Sequence, residues 1–181
     1  MPLPRKQFET LALEQIDALY RAARVLTRDV VRAQDLVQET YLRALAARDS
    51  FELREQLRDS GMKAWLLRIL HNLGIRSQQR ELRQPHSDHP LDDFSAPPAP
   101  AALGVDWDDM DQELKQAIQR LPGEYQLVLL LWAVEELNYK EIADVLDIPL
   151  GTVMSRLHRA RQRLREELPA TLAQAAMLMR R

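Results

Sequence analysis

YKEIADVLDIPLGTVMSRLHRARQRLR, residues 139–165, decides how the chain is read. Asn138 precedes it and Glu141 follows three residues later, the spacing of a capping box that opens a helix. Tyr139, Ile142, Ala143 and Leu146 then share one face. Asp147–Leu150 interrupts the pattern, because Pro149 has no amide to donate inside a continuing helix. A second helix follows at once. With Val153 as origin and about 100° per residue, Leu157, Ala160 and Leu164 fall within about 40° of it, a buried seam. Ser155, His158, Arg159 and Gln162 lie opposite, and Met154, Arg156 and Arg163 occupy the flanks.

Two short helices with a tight turn and an arginine-rich second helix form a helix-turn-helix. The DNA major groove admits one such helix, whose N-terminal outward residues reach base edges while flanking arginines neutralise phosphates. Gly151 and Thr152, at the helix start, are expected to leave backbone N–H groups for a phosphate. A lone basic amphipathic helix is usually just a solvated one. Here the capped helix before it, the short turn and the clean seam favour DNA binding.

The whole chain nevertheless has a formal charge of −2 and a pI near 6.1. The acid is concentrated elsewhere. QPHSDHPLDDFSAPPAPAALGVDWDDMDQ, residues 84–112, holds Pro85, Pro90, Pro97, Pro98 and Pro100 together with Asp88, Asp92, Asp93, Asp106, Asp108, Asp109 and Asp111. It contains no lysine or arginine. Proline removes donors and like charges repel, so this stretch is expected to be a flexible linker. The basic flanks are hidden from the net sum by it.

Helical periodicity runs on both sides of the linker. Phe8, Leu11, Ile16, Leu19, Tyr20, Ala23 and Leu26 recur near every 3.6 residues. Leu36, Val37, Thr40, Tyr41, Ala44 and Leu45 form a second stripe, and Trp65, Leu66, Ile69, Leu70, Leu73 and Ile75 a third. Residues 114–121 read as a short helix stopping at Pro122, and 125–134 as a helix buried in a small bundle. No stretch alternates with period two and no hairpin signal occurs. The fold class expected is all-α: two small helical domains, 1–84 and 113–168, the second a helix-turn-helix, joined by a Pro/Asp-rich linker over 85–112 and followed by a tail over 169–181.

No cysteine is present, so disulfides and thiolate metal sites are excluded. No apolar run approaches a membrane span and MPLPRKQFET lacks the apolar core of an export signal, which together point to a cytoplasmic protein without membrane insertion.

In the first lobe, AQDLVQETYLRAL turns Asp35, Gln38, Glu39 and Arg43 outward, while MKAWLLRILHNLGIRSQQRELR combines Trp65, His71 and Asn72 with Lys63, Arg68, Arg76, Arg80 and Arg83. An aromatic, an amide and a row of cations suit opening or single-stranded DNA, although Trp65 equally suits a core. DLVQETYLRA, AWLLRILHN, a linker, LPGEYQLVLLL and the helix-turn-helix, in that order from about Phe8 to Arg165, resemble the extracytoplasmic-function sigma factors of bacteria, which contain only regions 2 and 4.

The resemblance implies a promoter-specificity subunit of RNA polymerase with no catalytic activity and no cofactor. It implies that Asp35, Gln38, Glu39 and Arg43 meet the clamp helices of the largest polymerase subunit. It further implies that Trp65, Asn72, Arg76 and Arg80 serve the −10 element, with Asn72 near a loop that captures a flipped base. Thr152, Met154, Ser155, Arg156, His158, Arg159 and Arg163 would serve the −35 element. An anti-sigma factor is the expected regulatory partner, and the tail a terminal extension or its docking segment. Two positions depart from the family: Met154, where lysine or arginine is common, and Arg76, where aspartate is. Both bear on promoter sequence rather than fold.

The rival readings are a stand-alone helix-turn-helix regulator and a metal-dependent hydrolase. In the first, the N-terminal lobe would bind a ligand or dimerise and the protein would bind duplex DNA tightly alone, at paired half-sites; no dimer helix is apparent. The second would use His86, Asp88, His89, Asp92 and Asp93, but a proline-broken tether cannot supply the rigid support that metal ligands need.

Overall fold

The computed structural model describes residues 4–51, 58–83 and 112–168, and all their regular structure is helical. The tether at 85–112, except for its last residue, and the tail at 169–181 lie outside the described residues, as do the five linker residues considered as metal ligands. Eight α-helices are described: α1 Arg5–Leu13, α2 Ile16–Thr27, α3 Val30–Ala46, α4 Arg58–Arg83, α5 Gln112–Arg120, α6 Gly123–Ala133, α7 Tyr139–Leu146 and α8 Leu150–Glu167.

The first periodic stretch is two helices, not one. The chain turns at Glu14–Gln15, where Gln15 leaves helical geometry with its amide on the Ala12 carbonyl at 3.1 Å. Ile16, placed on the apolar stripe by periodicity, is instead 46% exposed at the start of α2. Asp29 caps α3 by accepting from the Arg32 amide at 2.8 Å, an N-cap bond of the usual kind. Tyr41 on α3 donates its hydroxyl to the Ala12 carbonyl at 2.9 Å, tying α3 to α1. Burial, then the nearby Asp17, pushes the Tyr41 hydroxyl up to about 12, so it remains a donor at every physiological pH. Phe8, Phe51 and Trp65 close this end of the lobe, with ring centroids 5.0–6.0 Å apart. At Gly74 a Cβ would come within 3.2 Å of Leu26, so glycine permits α4 to pack closely on α2.

In the second lobe α6 is buried along its length, from Tyr125 to Trp132. The capping box is present: Asn138 Oδ1 accepts from the Lys140 and Glu141 amides at 3.0 Å, and the Glu141 carboxylate accepts from the Asn138 amide at 2.8 Å. Asp147 ends α7 at φ 52°, a left-handed position that aspartate tolerates better than most residues. Pro149 then starts α8, whose seam of Val153, Leu157, Ala160 and Leu164 is buried as its spacing requires.

The core is one continuous cluster running through both lobes. α4 packs against α7, and α2 against α6. The helices thus form one body, and the contacts between lobes involve the same helices that build each of them.

Replacing Asn138 by alanine should remove both bonds to the start of α7 and destabilise the fold by ~1 kcal/mol, measured by urea denaturation. An unchanged midpoint would show that the cap contributes nothing to the helix-turn-helix.

Candidate nucleic-acid and polymerase interfaces

The outward face of α8 is exposed as its spacing requires. Met154, Ser155, His158 and Arg159 are exposed, and Met154 is 52% exposed despite its apolar side chain. Leu150, one turn earlier, is 42% exposed, so an apolar pair sits at the N-terminal end of an arginine-rich surface. Ser155 donates its hydroxyl to the Thr152 carbonyl at 3.0 Å, which fixes its rotamer. Thr152 is half-buried, and its amide is taken by the Pro149 carbonyl at 2.8 Å. The expectation of a free N–H at Thr152 for a phosphate is therefore corrected: the tight turn after proline uses that donor.

The flanking arginines have partners within the protein. Arg156 pairs with Glu124 at 2.7 Å, Arg161 lies 4.2 Å from the Trp132 ring and Arg163 lies 5.4 Å from the Tyr125 ring. Their charges stay at the edge of the reading face, but their side chains are held by α6. The sequence singled out Arg156 and Arg163 without showing these partners.

On α3, Asp35 and Gln38 point outward with Val31, Leu42 and Leu45. Leu45 is 42% exposed, which corrects its place on the buried stripe; Val31 and Leu42 are each 64% exposed. The positions 31, 35, 38, 42 and 45 alternate in steps of four and three, the spacing of a coiled-coil seam without its partner helix. Sequence reasoning found the polar members of this surface and missed the apolar ones. Glu39 and Arg43 form an ion pair at 2.8 Å beside it.

Asn72, Arg76 and Arg80 on α4 are exposed, whereas Trp65 packs with Phe8 and Phe51. Trp65 is placed by the packing of the lobe, the alternative that its sequence position left open. A groove of ≈720 Å³ between α3 and α4 is lined by Arg32, Asp35, Glu39, Arg43, Arg76 and Arg80 among others. A second cavity of ≈420 Å³ adjoins it, walled by Arg43, Ile69, Asn72 and Arg76. Two residue sets that the sequence assigned to different partners thus share the walls of one groove, and Arg43 lines both cavities.

His71, beside Asn72, is turned toward the second lobe. Its Nδ1 is buried without a hydrogen-bond partner. Burial, then the Arg156 charge, lowers its pKa, and Asp147 acts in the opposite sense. Among the described residues no cluster of three metal-ligating side chains occurs, and no helix is long and apolar enough to cross a membrane.

A helix-turn-helix whose second helix is exposed and arginine-flanked, coupled to a second helical lobe with an open coiled-coil seam, has the form of a DNA-binding subunit that works with another protein. Comparison with known proteins gives the family. Residues 13–84 match the model of sigma-70 region 2, and residues 111–164 that of sigma-70 region 4. The chain is 31% identical over 168 residues to the ECF RNA polymerase sigma factor SigW of Bacillus subtilis, covering 84% of this chain and 83% of that one. It is 29% identical over 184 residues to the sigma-H factor of Pseudomonas aeruginosa, covering 94% and 91%. The solved structure of the sigma factor RpoE with the anti-sigma factor NepR from Bartonella quintana aligns with a TM-score of 0.62 at 30% identity, over 89% of this chain and 96% of that one. The chain belongs to the extracytoplasmic-function RNA polymerase sigma factors, with regions 2 and 4 as its two lobes. Its function is promoter recognition and transcription initiation together with core RNA polymerase. Matches in both lobes disfavour the stand-alone regulator.

The depressed His71 pKa has a consequence for stability. The neutral form is favoured in the folded state, so the contribution is complete above the ordinary histidine value near 6.5 and is lost as pH falls below it. Stability should fall from pH 7 to pH 5 by at most ~1.4 kcal/mol per pH unit from this one proton, and less steeply in His71→Gln. Parallel melting curves for the two proteins across that range would remove His71 from the account.

Proposed function

We propose the following division of labour among the residues of this sigma factor. Residues 1–84 form the lobe that docks on core polymerase and takes the −10 element, and residues 113–168 form the lobe that takes the −35 element. Thr152, Met154, Ser155, His158 and Arg159 read the −35 element, while Arg156 and Arg163 set the helix against phosphates. Asn72, Arg76 and Arg80 take the −10 element; Trp65 serves it through the shape of the lobe. Asp35, Gln38, Glu39 and Arg43, together with Val31, Leu42 and Leu45, meet the clamp helices of the largest polymerase subunit. The observation that carries this reading is the exposed coiled-coil seam on α3, which calls for a helical partner, next to a groove lined by four arginines together with Asp35 and Glu39.

The protein has no catalysis of its own and works in the cytoplasm. An anti-sigma factor is its regulatory partner, a reading supported by the solved RpoE–NepR complex. The test is reconstitution of promoter-dependent transcription from purified protein and core polymerase over a promoter panel. Arg159→Ala should reduce initiation unevenly, by ~1–3 kcal/mol of discrimination at promoters whose −35 base it reads. Arg163→Ala should weaken all promoters alike and lower the salt slope by about one. Transcription from no promoter sinks the assignment of function. Equal effects of both substitutions overturn the division of the α8 face.

Met154 makes the −35 preference specific. A thioether offers no donor for a guanine edge, but the exposed Leu150–Met154 pair suits the C5-methyl group of thymine in the major groove. Replacing −35 thymines one at a time by deoxyuridine should weaken wild-type binding at one position and leave Met154→Ala indifferent there. Indifference of the wild type at every thymine would rule this contact out.

A further inference from the structure

Glu135 belongs to the second lobe, yet both partners of its carboxylate belong to the first. Its side chain is 1% exposed. Oε1 accepts from Arg21 Nε at 2.7 Å, and Oε2 lies 3.5 Å from Lys63 Nζ, which also donates to the Glu135 carbonyl at 3.3 Å. The turn after α6 aims it there. The Glu135 amide reaches the Leu130 carbonyl at 3.1 Å, the Leu137 amide reaches the Leu131 carbonyl at 3.0 Å, and Glu136 between them sits at φ 58°. A carboxylate removed from water in this way is tolerated only while its cations are present. The pair therefore ties α6 of one lobe to α2 and α4 of the other.

The same packing brings the two DNA-reading surfaces together. His71 on α4 feels the charges of Asp147 and Arg156, and Asn72 is its neighbour in the chain. The promoter elements, however, are named by positions about 25 base pairs apart, or ~85 Å along the duplex at ~3.4 Å per base pair. Adjoining surfaces cannot meet both elements at once. The 28 residues between Arg83 and Gln112 reach ~100 Å at full extension, so chain length allows the lobes to separate.

We propose that Glu135, held by Arg21 and Lys63, is a latch that keeps the unbound protein closed and unable to span a promoter, and that assembly with core polymerase and promoter DNA opens it. The proposal rests on the assignment of the two lobes to the −10 and −35 elements. Opening exchanges the Glu135 contacts for water and frees α4 from the helix-turn-helix, so His71 and Arg156 lose their proximity together.

The chain has no cysteine, so Glu14→Cys and Asp144→Cys, both on exposed positions of different lobes, provide two unique sites for fluorescent labels on the full-length protein. Energy transfer in the free protein should show one high-transfer population. Glu135→Gln should lower the closed-to-open ratio at least about tenfold, after discounting for the partial exposure of Arg21 and Lys63. Glu135→Arg combined with Arg21→Glu and Lys63→Glu should restore the closed form, and core polymerase with promoter DNA should open the wild type. Low transfer in the free wild type overturns the latch, as does unchanged transfer in Glu135→Gln. Should Glu135→Gln lose its helical circular dichroism, Lys63→Gln decides, because it removes a partner and leaves Arg21 on the carboxylate: a larger open fraction supports the latch and none overturns it. Promoter-dependent transcription by the labelled wild type separates the two failures. Transcription with low transfer rejects only the latch, whereas no transcription rejects the reading on which it rests.

Discussion

A helix that is apolar on every side is stable only when covered on every side, and α6 is such a helix. Every residue from Tyr125 to Trp132 is buried. The seam of α8 covers one side and α7 another, but two helices cannot surround a third, and α2 of the first lobe packs on it as well. Each fully buried leucine in α6 contributes roughly 1.5–3 kcal/mol, so leaving the face toward α2 in water is costly. The association of the lobes follows from this composition, before any ion pair is considered. Glu135 then sets which orientation the association takes, because a buried carboxylate accepts few alternatives.

Much of this was legible in the sequence, and the limits are informative. The capping box, the break at Pro149 and the seam Val153–Leu157–Ala160–Leu164 are local patterns whose spacing implies their geometry, and all are observed. Leu45 and Ile16 were misplaced because periodicity shows that a residue is apolar, not which partner covers it. Leu45 lies on the exposed seam of α3, and Ile16 begins a helix after a turn containing neither glycine nor proline. The Arg21–Glu135 pair spans 114 residues, and no local pattern joins such positions. The outward positions of α8 came from spacing and their −35 role from the family resemblance; the groove shared by α3 and α4 needed the tertiary packing that places Arg43 beside Asn72 and Arg76.

The arginines of α8 show why charge count alone describes a DNA-reading helix poorly. A solvated arginine gives up as much as ~1.5–2 kcal/mol of side-chain entropy when it is fixed on a phosphate. Arg156 on Glu124, and Arg161 and Arg163 over the rings of Trp132 and Tyr125, have given up part of that freedom already. A cation over a ring keeps its charge and most of its donors, and an exposed contact of this kind contributes ~0.5–1 kcal/mol. Arg161 and Arg163 are therefore preorganised at no expense of charge.

Arg156 differs, because Glu124 neutralises it. Its donors reach a phosphate only by leaving or sharing that carboxylate, and Glu124 itself is repelled by the phosphate. Parting from Glu124 therefore offsets some of what Arg156 gains on a phosphate under the proposed assignment, and only modestly, since both side chains are partly exposed. Arg156 is also the charge that acts on His71 of α4, so the Glu124–Arg156 pair lies where the two lobes meet.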